Sequence, residues 1–90
     1  MEKIEKIERI LNYYRTYKSI VDVIRDNPSL NQKELPVNIN EKTLSVRINR
    51  LVDADILHRT ASNNRADGYT HTVNQALVDQ IEEMVAAFRL

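Results

Sequence analysis

Between positions 42 and 50, Lys42, Thr43, Ser45, Arg47 and Arg50 are of the types that bind anions and read hydrogen-bonding edges, and Val46 stands among them. Arginine is planar, permanently charged and able to donate two bonds to one phosphate or guanine edge. Lys42, Thr43 and Ser45 fall near the amino end of the segment, where the main-chain N–H groups of a helix favour a phosphate. The chemistry is that of duplex DNA binding. A solvated helix face would carry similar charges, so the surrounding elements must decide between the two.

Other candidate groups lead less far. Asp53 and Asp55 form a carboxylate pair, as acid–base catalysis or a metal would use, but no partner set or pocket-forming segment accompanies them. Near a helix end their negative charge costs a few tenths of a kcal/mol; they either shape that end or repel DNA from a wrong register. His58 and His71, the only histidines, make an incomplete zinc site in a chain without cysteine, even if opposing strands bring them close. Two polar strand residues are the plainer reading. Tyr13, Tyr14 and Tyr17 could stack on single-stranded bases, yet they share a stripe with isoleucines and are read as core or dimer packing. No glycine-rich phosphate loop, nucleophile elbow or HExxH pattern occurs. No catalytic residue, metal site or cofactor is expected, and the chain is not expected to be an enzyme.

Composition bounds the class. Ninety residues make one small domain, positions 1–90, which buries only roughly 60–65% of the surface exposed on unfolding, so a partner chain would strengthen a thin core. The absence of cysteine and of a signal-like apolar segment suggests an intracellular protein. No apolar run approaches the roughly 18 residues that cross a bilayer, and no membrane partner is expected. Thirteen basic and 13 acidic residues give no net charge, which argues against bulk coating of DNA but not against a local basic patch. Charge is unevenly spread: Met1 to Lys18 holds five basic and three acidic residues, Asn74 to Leu90 three acidic and one basic.

Periodicity supplies the elements that would place these groups. Ile4, Ile7, Leu11, Tyr14 and Val21 recur at helical spacing, predicting an N-terminal helix over 1–26, with a break allowed near Thr16 to Ser19, ended by Asn27-Pro28. A short helix follows, capped either by Asn27 with Pro28 in its first turn or by Asn31 with Glu34 as a capping box and Leu30 and Leu35 as its staple. Pro36 stops it in either case. A third helix begins after Asn40, with Leu44, Ile48, Leu51 and Val52 inward and Lys42, Thr43, Val46, Arg47, Asn49 and Arg50 outward. Then "ILHRTA" and "YTHTV" flank the turn cluster "SNNRADG", predicting a β-hairpin over 56–73. Ala76, Leu77, Ile81, Met84, Val85 and Phe88 predict a last helix over 74–90.

The expected fold class is mainly α with a small β-hairpin (α+β): a winged helix-turn-helix, with the helix-turn-helix at 28–54 and the hairpin as wing. Helix 39–54 would lie in the major groove. Asn63, Asn64 and Arg65 at the wing tip would face the backbone or minor groove, although a plain polar turn uses the same residue types. Arg59 at the wing base could instead pair with Asp53 or Asp55.

The segment "ELPVNINEKTLSVRINRLVDADILHR" resembles the HxlR-type winged-helix regulators and, more loosely, the MarR and ArsR groups. The likeness rests on Leu35-Pro36, Ile39, Glu41-Lys42, Leu44-Ser45, Arg47, Arg50-Leu51, Ala54, Ile56-Leu57 and Arg59, with "GYTHTVNQAL" similar to the second wing strand and the start of the closing helix. It spans about half the chain. The resemblance implies a cytoplasmic, homodimeric transcription regulator whose terminal helices pair across the dimer. Two departures stand out: no reactive cysteine serves for redox sensing, and Asp55 replaces the usual glycine of the turn into the wing. Aspartate tolerates a left-handed backbone better than most residues.

The sequence thus points to a homodimer that binds double-stranded DNA and represses transcription by steric exclusion. Its dimer interface is expected at Ile4, Ile7, Leu11, Tyr14, Leu77, Ile81, Met84 and Phe88, and the acidic cluster Asp79, Glu82, Glu83 could meet Lys6, Arg9 or Arg15 of the partner. The alternative is a winged-helix protein–protein interaction module without DNA readout, favoured by the zero net charge.

Overall fold

The structure is a computed structural model that describes residues 2–60 and 69–88. Among these residues the chain is mainly helical with one small sheet, an α+β arrangement: α1 (Glu2–Thr16), α2 (Lys18–Asp26), a single 3-10 turn (Gln32–Glu34), α3 (Glu41–Asp53), β1 (Leu57–Thr60), β2 (Thr70–Val73) and α4 (Gln75–Phe88).

The long N-terminal stripe divides at Tyr17. Its φ of −112° and ψ of 22° leave the helical region, yet the Tyr17 N–H still reaches the Tyr13 carbonyl at 2.9 Å and the Tyr17 carbonyl accepts from Ile20 and Val21. The ladder is therefore loosened at one residue and not interrupted by a loop. Asn27 ends α2 twice over, with its backbone N–H on the Ile24 carbonyl at 3.2 Å and its side-chain amide on the Val23 carbonyl at 2.8 Å.

Of the two possible starts for the next element, the structure takes Asn31. Its Oδ1 accepts from the N–H groups of Lys33 and Glu34 at 3.0 and 3.2 Å, while a Glu34 carboxylate oxygen accepts from the Asn31 N–H at 3.2 Å, a complete capping box. The element so capped is shorter than the helix expected from the sequence. Leu35 precedes a proline and is extended, with φ −63° and ψ 133°, as the steric demand of Pro36 requires, and only one turn forms.

Asn40 starts α3, its Oδ1 accepting from Lys42 N–H at 2.8 Å. Leu44, Ile48 and Leu51 are buried and Val52 half-buried. Truncating a side chain as enclosed as Ile48 is expected to cost about 2–5 kcal/mol, a large share of the 5–15 kcal/mol typical of a domain. At the far end Asp55 takes φ of 63°. Its N–H donates to the Val52 carbonyl and the Ile56 N–H to the Leu51 carbonyl, each at 3.0 Å. These are the two bonds of a Schellman stop, with Ile56 packing where the motif wants an apolar residue. Aspartate thus fills the position that glycine usually takes.

The sheet is antiparallel, pairing Leu57 with Val73, His58 with Thr72, Arg59 with His71 and Thr60 with Thr70. A further antiparallel bridge joins Asn31 to Thr70, and the Gln32 N–H donates to the Tyr69 carbonyl at 3.2 Å, so the corner before α3 is tied to the start of β2. α2 packs on β2, α3 on β1, and α1 on α2 and α3. The core between them is formed chiefly by Ile20, Val21 and Ile24 of α2, Ile48 and Leu51 of α3, and Ile56 and Leu57, with Val78 and Ile81 of α4 closing it.

Candidate nucleic-acid interface

The face of α3 turned from the core carries Lys42, Thr43, Val46, Asn49 and Arg50, all exposed, with Ser45 and Arg47 half-buried at its margins. Val46 sits near the middle of that face and is 47% exposed. It is an apolar side chain open to solvent among hydrogen-bonding neighbours.

Both arginines of this face lean on one aromatic residue. Arg50 Nη1 donates to the Tyr17 hydroxyl at 2.6 Å, and the Arg47 guanidinium carbon lies 5.6 Å from the centroid of the Tyr17 ring, within cation–π range. Tyr17 itself is 7% exposed and stacks on Tyr13 at 6.0 Å and 29°. The reading of these tyrosines as packing groups fits Tyr14 and Tyr17, which are buried, but Tyr17 also has a polar role that residue spacing does not reveal.

Arg59 pairs with neither Asp53 nor Asp55. Its Nη2 donates to Asn49 Oδ1 and its Nε to His71 Nε2 at 3.3 Å, and its guanidinium lies 5.1 Å from the centroid of the exposed Tyr69 ring. The first strand is thereby fastened to the outer face of α3. His58 and His71 do not converge: they occupy adjacent, not opposed, positions of the register, His58 exposed and His71 only 2% exposed. Burial, reinforced by the Arg59 charge, pushes the His71 pKa down to about 4, so it is neutral near pH 7 and accepts from Arg59. It is a core residue, not the plain polar strand residue expected. Among the described residues no group of three or more histidine and acidic side chains is placed to hold a metal.

Beside this face an open depression of about 640 Å³ is lined by Gln32, Lys33, Asn40, Glu41, Lys42, Ser45 and Tyr69. Its walls come from the 3-10 turn, the start of α3 and the residue before β2. Ser45 and Lys42 were expected in the interface; Gln32, Lys33 and Tyr69 join them through the tie between Asn31 and Thr70, a pairing with no signal in local sequence.

Sharing no residue with the α3 face, α1 and α4 form an apolar groove of about 230 Å³ lined by Ile7, Ile10, Leu11, Leu77, Gln80, Ile81 and Met84. Ile7 and Phe88 are exposed large apolar residues on these helices, Phe88 at 70%. Two of the residues expected to face a partner are instead in the chain's own core: Tyr14 and Ile81 are buried, because α4 folds back against α1. Tyr14 donates to a Glu82 carboxylate oxygen, so one member of the acidic cluster is engaged within the chain, and Asp79 accepts from Gln75 at 2.8 Å. Ile4, Asn63, Asn64 and Arg65, also expected at interfaces, lie outside the residues whose side chains are described.

Comparison of the chain with profiles of known families, with characterised proteins and with solved structures gives no match.

Proposed function

We propose that this chain is a winged helix-turn-helix protein that binds duplex DNA through α3, acts as a homodimer through α1 and α4, and represses transcription by occupying its site. The observation that carries the reading is the outer face of α3, where Lys42, Thr43, Arg47, Asn49 and Arg50 surround an exposed Val46. Arginine and asparagine are the side chains that read guanine and adenine edges with paired bonds, and an apolar side chain meets the thymine methyl. The order of elements supports it: two N-terminal helices, a corner bridged from Asn31 to Thr70, a short turn, α3, then two antiparallel strands and α4.

The open groove between α1 and α4 supports a second copy of this chain as partner. It is apolar and includes the exposed Ile7 in its lining, and the helices that form it carry exposed Lys6 and Arg9 on α1 and exposed Glu83 and Phe88 on α4. A two-fold pair would present two α3 helices to half-sites about 34 Å apart. No helix of the described residues is long and apolar enough to cross a membrane.

The test is selection of bound sequences from a random duplex pool, followed by titration of the winner against salt. Replacing Arg47 and Arg50 together by alanine should weaken binding and lower the salt slope by about one unit for each phosphate that is no longer neutralised. If no duplex binds even at low salt, the reading falls, and the same face becomes a protein-docking surface in which Val46 and Tyr69 are the anchors.

A further inference from the structure

Tyr17 occupies an unusual position. It is the single residue at which the N-terminal helical ladder loosens, and it is also the residue on which both α3 arginines rest. Its hydroxyl oxygen accepts from one Nη1 proton of Arg50, which leaves the remaining guanidinium donors of Arg50 unspent. Its ring face attracts the Arg47 guanidinium without using any of that group's N–H bonds, so the edge that donates to phosphate or base stays free. Tyr13, stacked on Tyr17, restrains the ring from α1.

We propose that Tyr17 is a positioning residue for DNA recognition, holding Arg47 and Arg50 in the conformation that meets the duplex and linking their placement to α1. The proposal rests on the reading of α3 as the DNA-binding helix. Free arginine side chains lose considerable rotamer freedom when they bind. Two guanidinium groups already fixed by a buried ring have less to lose. Because the anchor directly follows α1, the helix that lines the groove shared with α4, a shift of α1 on pairing with a second copy would move the arginine anchor with it. Spacing alone does not disclose such a role: Tyr17 lies 30 and 33 positions from the arginines that it holds.

The two interactions of Tyr17 are separable by substitution. Tyr17→Phe removes the hydroxyl and keeps the ring; Tyr17→Leu removes both. On the full chain and the selected duplex, Tyr17→Phe should weaken binding roughly tenfold, the scale of one hydrogen bond to a charged group, with the salt slope near that of the wild type because Arg50 keeps its charge. Tyr17→Leu should weaken binding further. In an Arg50→Ala background, Tyr17→Phe should have no additional effect on affinity or slope. A residue that only stabilised the fold would lower the melting temperature and act equally in both backgrounds. That outcome, or equal binding by wild type and Tyr17→Phe, overturns the proposal. In the DNA-free protein, nitrogen-15 spectra should show slowed rotation of the Arg50 guanidinium that Tyr17→Phe restores to free rotation; unchanged rotation also overturns it. If the wild type binds no duplex at all, the DNA reading itself is at fault, and the spectra still report whether Tyr17 holds Arg50.

Discussion

The side-chain amide of Asn74 donates to the main-chain carbonyl of Asp55 at 2.9 Å, joining the residue just after β2 to the left-handed turn that ends α3. The Asn74 N–H also donates to the Ile56 carbonyl at 2.9 Å, and its Oδ1 accepts from Leu77 N–H at 3.3 Å at the start of α4. One asparagine thus serves three elements. The turn that it clasps is the one whose sequence, with aspartate in place of glycine, is least suited to the fold.

That turn yields the first prediction. A non-glycine residue with φ of 63° carries a conformational cost that glycine avoids. Asp55→Gly should therefore stabilise the chain by about 0.5–1 kcal/mol, raising the melting temperature by several degrees. Asp55→Val, β-branched at a positive φ, should destabilise it by more than about 1 kcal/mol. Thermal unfolding monitored by circular dichroism distinguishes the pair, and a destabilising Asp55→Gly would show that the carboxylate makes a contact of its own.

His71 sets a pH dependence. Its folded pKa of about 4 lies below the ordinary value of 6.5, first because of burial and then because of Arg59. Between those two values the unfolded chain binds a proton that the folded chain refuses, so stability falls as pH drops through the window. The loss should be about 2–3 kcal/mol by pH 4. His71→Gln, which keeps an acceptor for Arg59 and does not titrate, should remove that part of the slope when denaturation curves are compared across the range.

Tyr14 gives the opposite sign at the alkaline end. Burial, then the hydrogen bond and charge of Glu82, pushes its pKa up to about 12 from 10.0, against a smaller opposing effect of Arg25. From pH 10 upward the unfolded phenol ionises while the folded one resists, so stability declines through this window. Tyr14→Phe should abolish that decline and cost about 1 kcal/mol near neutral pH by unfastening α1 from α4.

The groove between α1 and α4 predicts an oligomeric state. Sedimentation of the wild type should return a dimer mass at micromolar concentration. Met84→Glu, placing a charge on the apolar lining, should return a monomer with its helical content intact. A wild-type monomer would remove the second copy from the proposed function while leaving α3 to be tested separately.

Much of the architecture was legible because it depends on local rules. The core face of α3, the stop at Asn27-Pro28, the capping box at Asn31 and Glu34, and the two short strands each follow from residue types within a few positions of one another. The features that escaped reading involve contacts between distant segments. Spacing placed Tyr14 on an apolar stripe but could not say that α4 would cover it. The sequence suggested an aspartate for Arg59, the nearest opposite charge, whereas the fold brings it Asn49, His71 and Tyr69. The short helix became a single turn because Pro36 arrives too soon. Tyr17 was legible as an apolar-stripe residue, and its hold on two arginines appears only when α1 and α3 are packed together.

The bridge between Asn31 and Thr70, with the adjoining bond from Gln32 to Tyr69, bears on solubility. A two-stranded ribbon is barely stable alone and has edges that invite pairing with other chains. Here a segment from much earlier in the sequence covers the outer edge of β2 at its first residue. Removing that cover, for instance by shortening the corner between α2 and α3, would leave the ribbon free to recruit strands from neighbouring molecules, and aggregation would precede any loss of the helical core.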